Sequence, residues 1–134
     1  MIGSQMGLRL ELFVEDMEAS IAFYTRVLAF DLTRHEPGDY ASLRRGDVVL
    51  GLGPVAKLPE EGGYFGRDIS AWRRGLGVEI VLEVDEVQEW SDRVAKTGHP
   101  ILEPLQDRYW GLRDFRVSDP DGYYLRVTSR PANG

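Results

Sequence analysis

The sequence predicts an α+β domain built from one unit used twice. Three observations carry that expectation. The stretches LRLELFV at residues 8–14 and VEIVLEV at residues 78–84 alternate between apolar and other side chains, which is the period of a half-buried strand. Each runs into an acidic residue followed by an apolar stripe at helical spacing. Each half then closes with short strands and glycine-bearing turns, so the order strand, helix, strands occurs twice in 134 residues.

In the first unit Leu8, Leu10, Leu12 and Val14 share one strand face, with Arg9, Glu11 and Phe13 on the other. Asp16 is a candidate N-cap, and Met17, Ile21, Tyr24, Val27 and Leu28 recur as a helix of about three turns would place them. Pro37-Gly38 interrupts the pattern. Strands are expected near 40–44 and 48–52, ending at Gly53-Pro54. In the second unit Asp85 stands three residues before Gln88, the spacing of a capping box, and Val87, Trp90 and Val94 form the apolar stripe. Gly98 and Pro100 stop that helix. Strands follow near 101–103, 112–117 and 123–128, the last two joined by the turn Asp119-Pro120-Asp121-Gly122. The chain therefore reads as a single domain, residues 1–134, with module one at about 7–53, a linker at about 54–77 and module two at about 78–129.

Inventory excludes several function classes. A net charge of -6 supplies no basic face for nucleic acid and disfavours an anionic membrane surface. With no cysteine there is no disulfide, thiolate nucleophile or cysteine-bound metal. The N-terminal MIGSQMG has neither the basic start nor the apolar run of a signal peptide, and no apolar run spans a bilayer, so a cytoplasmic location is expected. The sequence contains no G-x-S-x-G, phosphate-binding loop or H-E-x-x-H, and no helix follows Gly51-Leu52-Gly53.

Aligning the first strands at an offset of seventy pairs Arg9 with Glu79, and matching Leu50 to Leu125 pairs Gly51 with Arg126. Alternation places all four on the face away from the helices. If the two halves face each other, the four positions converge.

VEDMEASIAFYTRVLAF resembles the V-x-D-x-x-x-S-x-x-FY-x-x-x-LGF signature of the vicinal oxygen chelate superfamily, and DPDGYYLRV resembles its closing strand. That superfamily holds glyoxalase I, extradiol dioxygenases, fosfomycin-resistance enzymes and bleomycin-resistance proteins. The segment YWGLRDFRVSDPDG is similar to the W-G-x-R-E-F stretch of the bleomycin-resistance branch, with Asp114 where that branch carries glutamate. The resemblance implies two βαβββ modules whose curved sheets enclose a cavity, usually completed in a homodimer. It also implies that the metal-ligand positions of the enzymes fall on Arg9, Gly51, Glu79 and Arg126.

Of these four, only Glu79 can ligate a metal. Arginine has no lone pair to offer and repels a cation, and one carboxylate falls short of the usual three protein ligands. His35 and His99 lie in turn contexts and read as surface residues. Neither a metal nor any other cofactor is expected. Arg9, Glu79 and Arg126 either fill the vacated space by mutual hydrogen bonds or leave a positive charge for an acid, phenolate or phosphate, unless Glu11 or Glu83 absorbs it.

Phe23 and Trp90 read as core, whereas Tyr64, Phe65, Trp72, Tyr109 and Trp110 fall in loops. The glycine-rich linker suits a lid over the cavity or an arm at a dimer interface. The resemblance implies that flat aromatic drugs are held between aromatic side chains in a groove at that interface. Trp110 aligns with the signature tryptophan, and a role for Trp110-Gly111 in shaping the turn stands beside that reading. The expected ligand-binding set is Arg9, Phe13, Tyr64, Phe65, Trp72, Glu79, Trp110 and Arg126, with no catalytic residue. The expected function is metal-free sequestration of a hydrophobic or aromatic small molecule, as in antibiotic resistance. The competing reading is a lyase, isomerase or dioxygenase of the same fold acting on a small oxygenated substrate, through unconventional metal ligands or acid-base work by Glu79 with Arg9.

Overall fold

Alternating apolar residues do become the paired strands of two sheets in the computed structural model, which describes residues 1–131. Module one comprises strand β1 (Leu10–Val14), helix α1 (Met17–Ala22), and strands β2 (Asp31–Glu36), β3 (Tyr40–Arg45) and β4 (Val48–Pro54). Module two repeats it with β5 (Ile80–Val84), α2 (Val87–Thr97), β6 (Glu103–Asp107), β7 (Arg113–Ser118) and β8 (Tyr124–Ser129). The sheet orders are β1-β4-β3-β2 and β5-β8-β7-β6, the same topology twice. In each module the first strand pairs parallel with the last, Leu10 opposite Leu50 and Ile80 opposite Leu125.

Four expectations are corrected. Strand β2 is absent from the sequence reading because DLTRHE has no apolar face and every residue in it is exposed. It forms because β3 offers it a hydrogen-bonding edge, and its charges then discourage further pairing at the sheet edge. Strand β6 lies at 103–107 rather than 101–103. Asp85 does not cap α2: the N-cap is Glu86, with no side-chain cap bond, while Asp85 accepts from Arg130 at 2.7 Å and Gln88 donates to Asp92. His99 is half-buried rather than a surface residue, its Nε2 2.8 Å from the Ser118 carbonyl and its ring tilted against Phe23.

Asp16 caps α1 as expected, accepting from the Ala19 N–H at 3.1 Å. Beyond Ala22 the helix widens into a π-helical turn, Phe23–Val27, and ends at Ala29, whose φ of 57° is left-handed and costs a non-glycine residue about 1 kcal/mol.

The helix-facing side of both sheets is one continuous core, with Val14, Leu43, Leu50 and Leu52 from module one and Phe115, Val117, Leu125 and Val127 from module two. Several polar ties fix the modules together, among them a bond from the Tyr123 hydroxyl to the Phe13 carbonyl at 3.0 Å. Arg93 of α2 donates to the carbonyls of Val27 and Arg26 at 3.1 and 2.9 Å, satisfying groups that the end of the first helix leaves unpaired. Asp121 accepts from the Glu15 N–H at 2.9 Å. Buried Tyr24 donates to Asp119 at 2.8 Å. No helix among the described residues is long and apolar enough to cross a membrane.

Candidate functional site

Because Leu and Val take the helix-facing side, alternation leaves the other face of each sheet to polar residues. In module one this open face carries Arg9, Glu11, Phe13, Tyr40 and Gly51. The register sets Glu11 directly beside Gly51, and a Cβ at Gly51 would collide with the Glu11 carboxylate and the Tyr40 hydroxyl. The space a side chain at 51 would need is therefore filled by Glu11. Arg9 donates to the Tyr40 hydroxyl at 2.7 Å, and that hydroxyl donates to Glu11 at 2.9 Å. Burial and the bond to Glu11 raise the Tyr40 pKa, so the phenol stays protonated.

In module two the open face is denser. Arg126 donates to Glu79 at 3.0 Å, and Arg116 lies 3.6 Å from the second oxygen of the same carboxylate. Arg108 donates to Asp114 at 2.8 Å and to Glu103 at 3.0 Å. Asp114 is 0% exposed and also lies 3.7 Å from Arg116 and 4.0 Å from Arg126. Tyr124 completes the cluster between Arg116 and Glu103. Hydrogen bonding to Asp114 raises the Arg108 pKa, and hydrogen bonding from Arg108 lowers that of Glu103. Arg108, Arg116 and Arg126 are thus matched one for one by Glu79, Glu103 and Asp114.

Of the expected site residues, the structure brings Glu79 and Arg126 together and keeps Arg9 and Gly51 apart from them. No hydrogen bond or ion pair joins the two clusters among the described residues. Arg9 finds its counter-charge in Glu11 at 3.7 Å, and Glu79 is occupied by arginines of its own sheet. The residues at the four positions do not make a donor set for a divalent metal, and no group of three or more His, Asp or Glu suited to a metal occurs among the described residues.

The loop aromatics divide in the same way. Phe65 of the linker tilts against Phe13 with ring centroids 5.1 Å apart, which puts the linker over the open face of module one. Buried Arg74 holds the linker down, 3.1 Å from Glu15 and donating to the carbonyls of Ile69 and Trp72. Tyr64 and Trp72 remain exposed. Trp110 is 42% exposed at the tip of a tight turn between β6 and β7, closed by bonds from Gly111 N–H to Arg108 and from Arg108 N–H to Leu112. Gly111 at φ 89° supplies the left-handed residue that turn requires.

Sequence reasoning missed Tyr40, Glu103, Arg108, Arg116 and Tyr124. A signal for some of them existed: once β7 and β8 pair, alternation puts Asp114 and Arg116 on the same face as Tyr124 and Arg126.

A family model described as Glyoxalase/Bleomycin resistance protein/Dioxygenase superfamily matches residues 8–127. The chain belongs to that superfamily. It is 32% identical over 117 residues to a bleomycin resistance protein of Geobacillus stearothermophilus, covering 81% of this chain and 84% of that one, and to a bleomycin resistance protein of Staphylococcus aureus to the same extent. Among solved structures, TioX from Micromonospora sp. ML1 superposes with a TM-score of 0.74 at 23% identity, over 95% of this chain and 100% of the other. Lactoylglutathione lyase from Agrobacterium tumefaciens superposes at 0.73 with 19% identity, over 96% and 95%. The fold is thus common to proteins with quite different names, and the site has to carry the functional argument.

Proposed function

We propose that this superfamily member is a metal-free binding protein that sequesters a planar aromatic small molecule, neutral or cationic, as a homodimer and without covalent chemistry. The observation that carries the reading is the neutral arginine–carboxylate cluster that takes in Glu79 and Arg126, two of the four positions where superfamily enzymes are expected to hold metal. A matched set of charges attracts neither a metal cation nor an anionic ligand strongly, which argues against the acid, phenolate or phosphate that an unbalanced arginine would favour. The likeness to bleomycin resistance proteins supports a role in antibiotic sequestration.

The linker leaves Tyr64 and Trp72 exposed, and the turn between β6 and β7 leaves Tyr109 and Trp110 exposed. In the proposed dimer the module-one face of one chain lies across the module-two face of its partner, and a flat ligand stacks between these exposed aromatic side chains. Sedimentation at micromolar concentration is expected to show the dimer, and a lone 15.2 kDa species overturns that part.

Calorimetry with zinc, nickel, manganese and iron is expected to show no saturable binding. One-to-one binding that vanishes in Glu79→Gln would overturn the metal-free reading. Titration of fluorescence with bleomycin, a dihydroxyanthraquinone and a flavonoid tests the ligand. Trp110→Ala is expected to weaken binding about tenfold, the equivalent of about 1.4 kcal/mol of lost stacking and burial. If none of the three binds, or if Trp110→Ala leaves affinity unchanged, the reading fails.

A further inference from the structure

The turn that carries Trp110 is built around a buried charge that no expected contact with ligand explains. Asp114 sits at the start of β7, wholly buried, and accepts from Nε of Arg108 at 2.8 Å. A second guanidinium nitrogen of Arg108 reaches Glu103 on β6 at 3.0 Å. The guanidinium is thereby held by both strands that flank the turn, and its carbon lies 5.9 Å from the centroid of the Trp110 ring. Tyr109 meets the same ring edge-on, at 4.8 Å and 87°.

An exposed tryptophan on a turn would ordinarily sample several rotamers and lose that freedom, at an entropic cost, when a ligand stacks on it. Here a fixed cation against the ring, within cation–π range, removes much of that freedom beforehand. Lysine could not substitute, because only a planar fork spans two carboxylates on two strands from a fixed position. Burying Asp114 is costly in itself, and the cost is accounted for if the carboxylate holds Arg108 in place.

We propose that Arg108, held by Asp114 and Glu103, is a positioning residue that presets Trp110 for stacking. The inference rests on the aromatic-ligand reading above and adds that affinity depends on the Arg108–Trp110 pair as a unit.

The test is a double-mutant cycle in the full-length protein with a neutral 1,4-dihydroxyanthraquinone as probe, comparing wild type, Arg108→Gln, Trp110→Ala and the double variant. Arg108→Gln is expected to weaken binding about threefold to tenfold, and the double variant is expected to bind no more weakly than Trp110→Ala alone. In a background with Trp72→Phe and Trp90→Phe, Arg108→Gln is expected to raise acrylamide quenching and shorten the fluorescence anisotropy decay of Trp110, and Arg108→Lys to do likewise. The positioning role is overturned if Arg108→Gln and Trp110→Ala lower affinity additively, or if affinity falls while the mobility of Trp110 is unchanged. It is also overturned if Trp110→Ala weakens binding and Arg108→Gln does not. An unaltered affinity in Trp110→Ala, by contrast, removes the stacking reading itself.

Discussion

Asp114→Ala is expected to destabilise the protein by about 3 to 5 kcal/mol, the cost of breaking a buried ion pair from one side. Asp114 is 0% exposed, and the side chains of Arg108 and Arg116 are 16% and 18% exposed, so removing the carboxylate leaves two poorly hydrated guanidinium groups facing an apolar methyl. Glu79 and Glu103 cannot compensate, since both already accept from these arginines or from Arg126. For a domain of this size the loss corresponds to a fall in melting temperature of about 11 to 18 °C, measurable by calorimetry or circular dichroism. Arg9→Ala provides the internal contrast. The Arg9 and Glu11 side chains are 49% and 44% exposed, and a solvent-screened pair of that kind is worth less than about 1 kcal/mol. Equal effects of the two substitutions would show that the module-two cluster is not a tightly desolvated unit.

Asp119→Ala is expected to cost about 3 kcal/mol, by a different route. Its Oδ1 accepts from the backbone N–H of Asp121 and of Tyr123 at 2.9 Å each, which shapes the turn before β8, and its Oδ2 accepts from buried Tyr24. Loss of the carboxylate leaves a buried phenol and two turn amides without partners. Burial raises the Asp119 pKa above the ordinary aspartate value of 3.8, with the Tyr24 and backbone bonds opposing the rise. A group whose folded pKa is raised contributes stability that is fully present below the unfolded value and is lost as pH rises through the folded one. Relative to Asp119→Asn, which does not titrate there, the wild type is therefore expected to lose stability on going from about pH 4 upward, until Asp119 is fully ionised. Urea denaturation across that range reads the difference, and parallel profiles for the two proteins would rule the assignment out.

What the amino-acid order determined by itself is the part of the molecule governed by local periodicity. Strands β1, β4, β5, β7 and β8 each carry alternation strong enough to declare one buried face, because a one-residue slip would turn Leu50 or Leu125 out to solvent. The same alternation placed Glu79 and Arg126 on one face. Asp16 and Gly98 set one end of each helix through backbone chemistry that needs no distant partner.

Tertiary structure alone decided what depended on partners far along the chain. Strand β2 exists only because β3 presents an edge to it. Asp85 left its expected cap for Arg130, forty-five residues away. Whether Arg9 would join Glu79 and Arg126 could not be read from alternation, which assigns a face and not a neighbour, and the fold gave Arg9 to Tyr40 and Glu11 instead. The character of the site changed accordingly, because a charge is balanced by whichever counter-charge lies within about 4 Å in space. For Arg126 that set includes Glu79, just before β5, and Asp114 on β7.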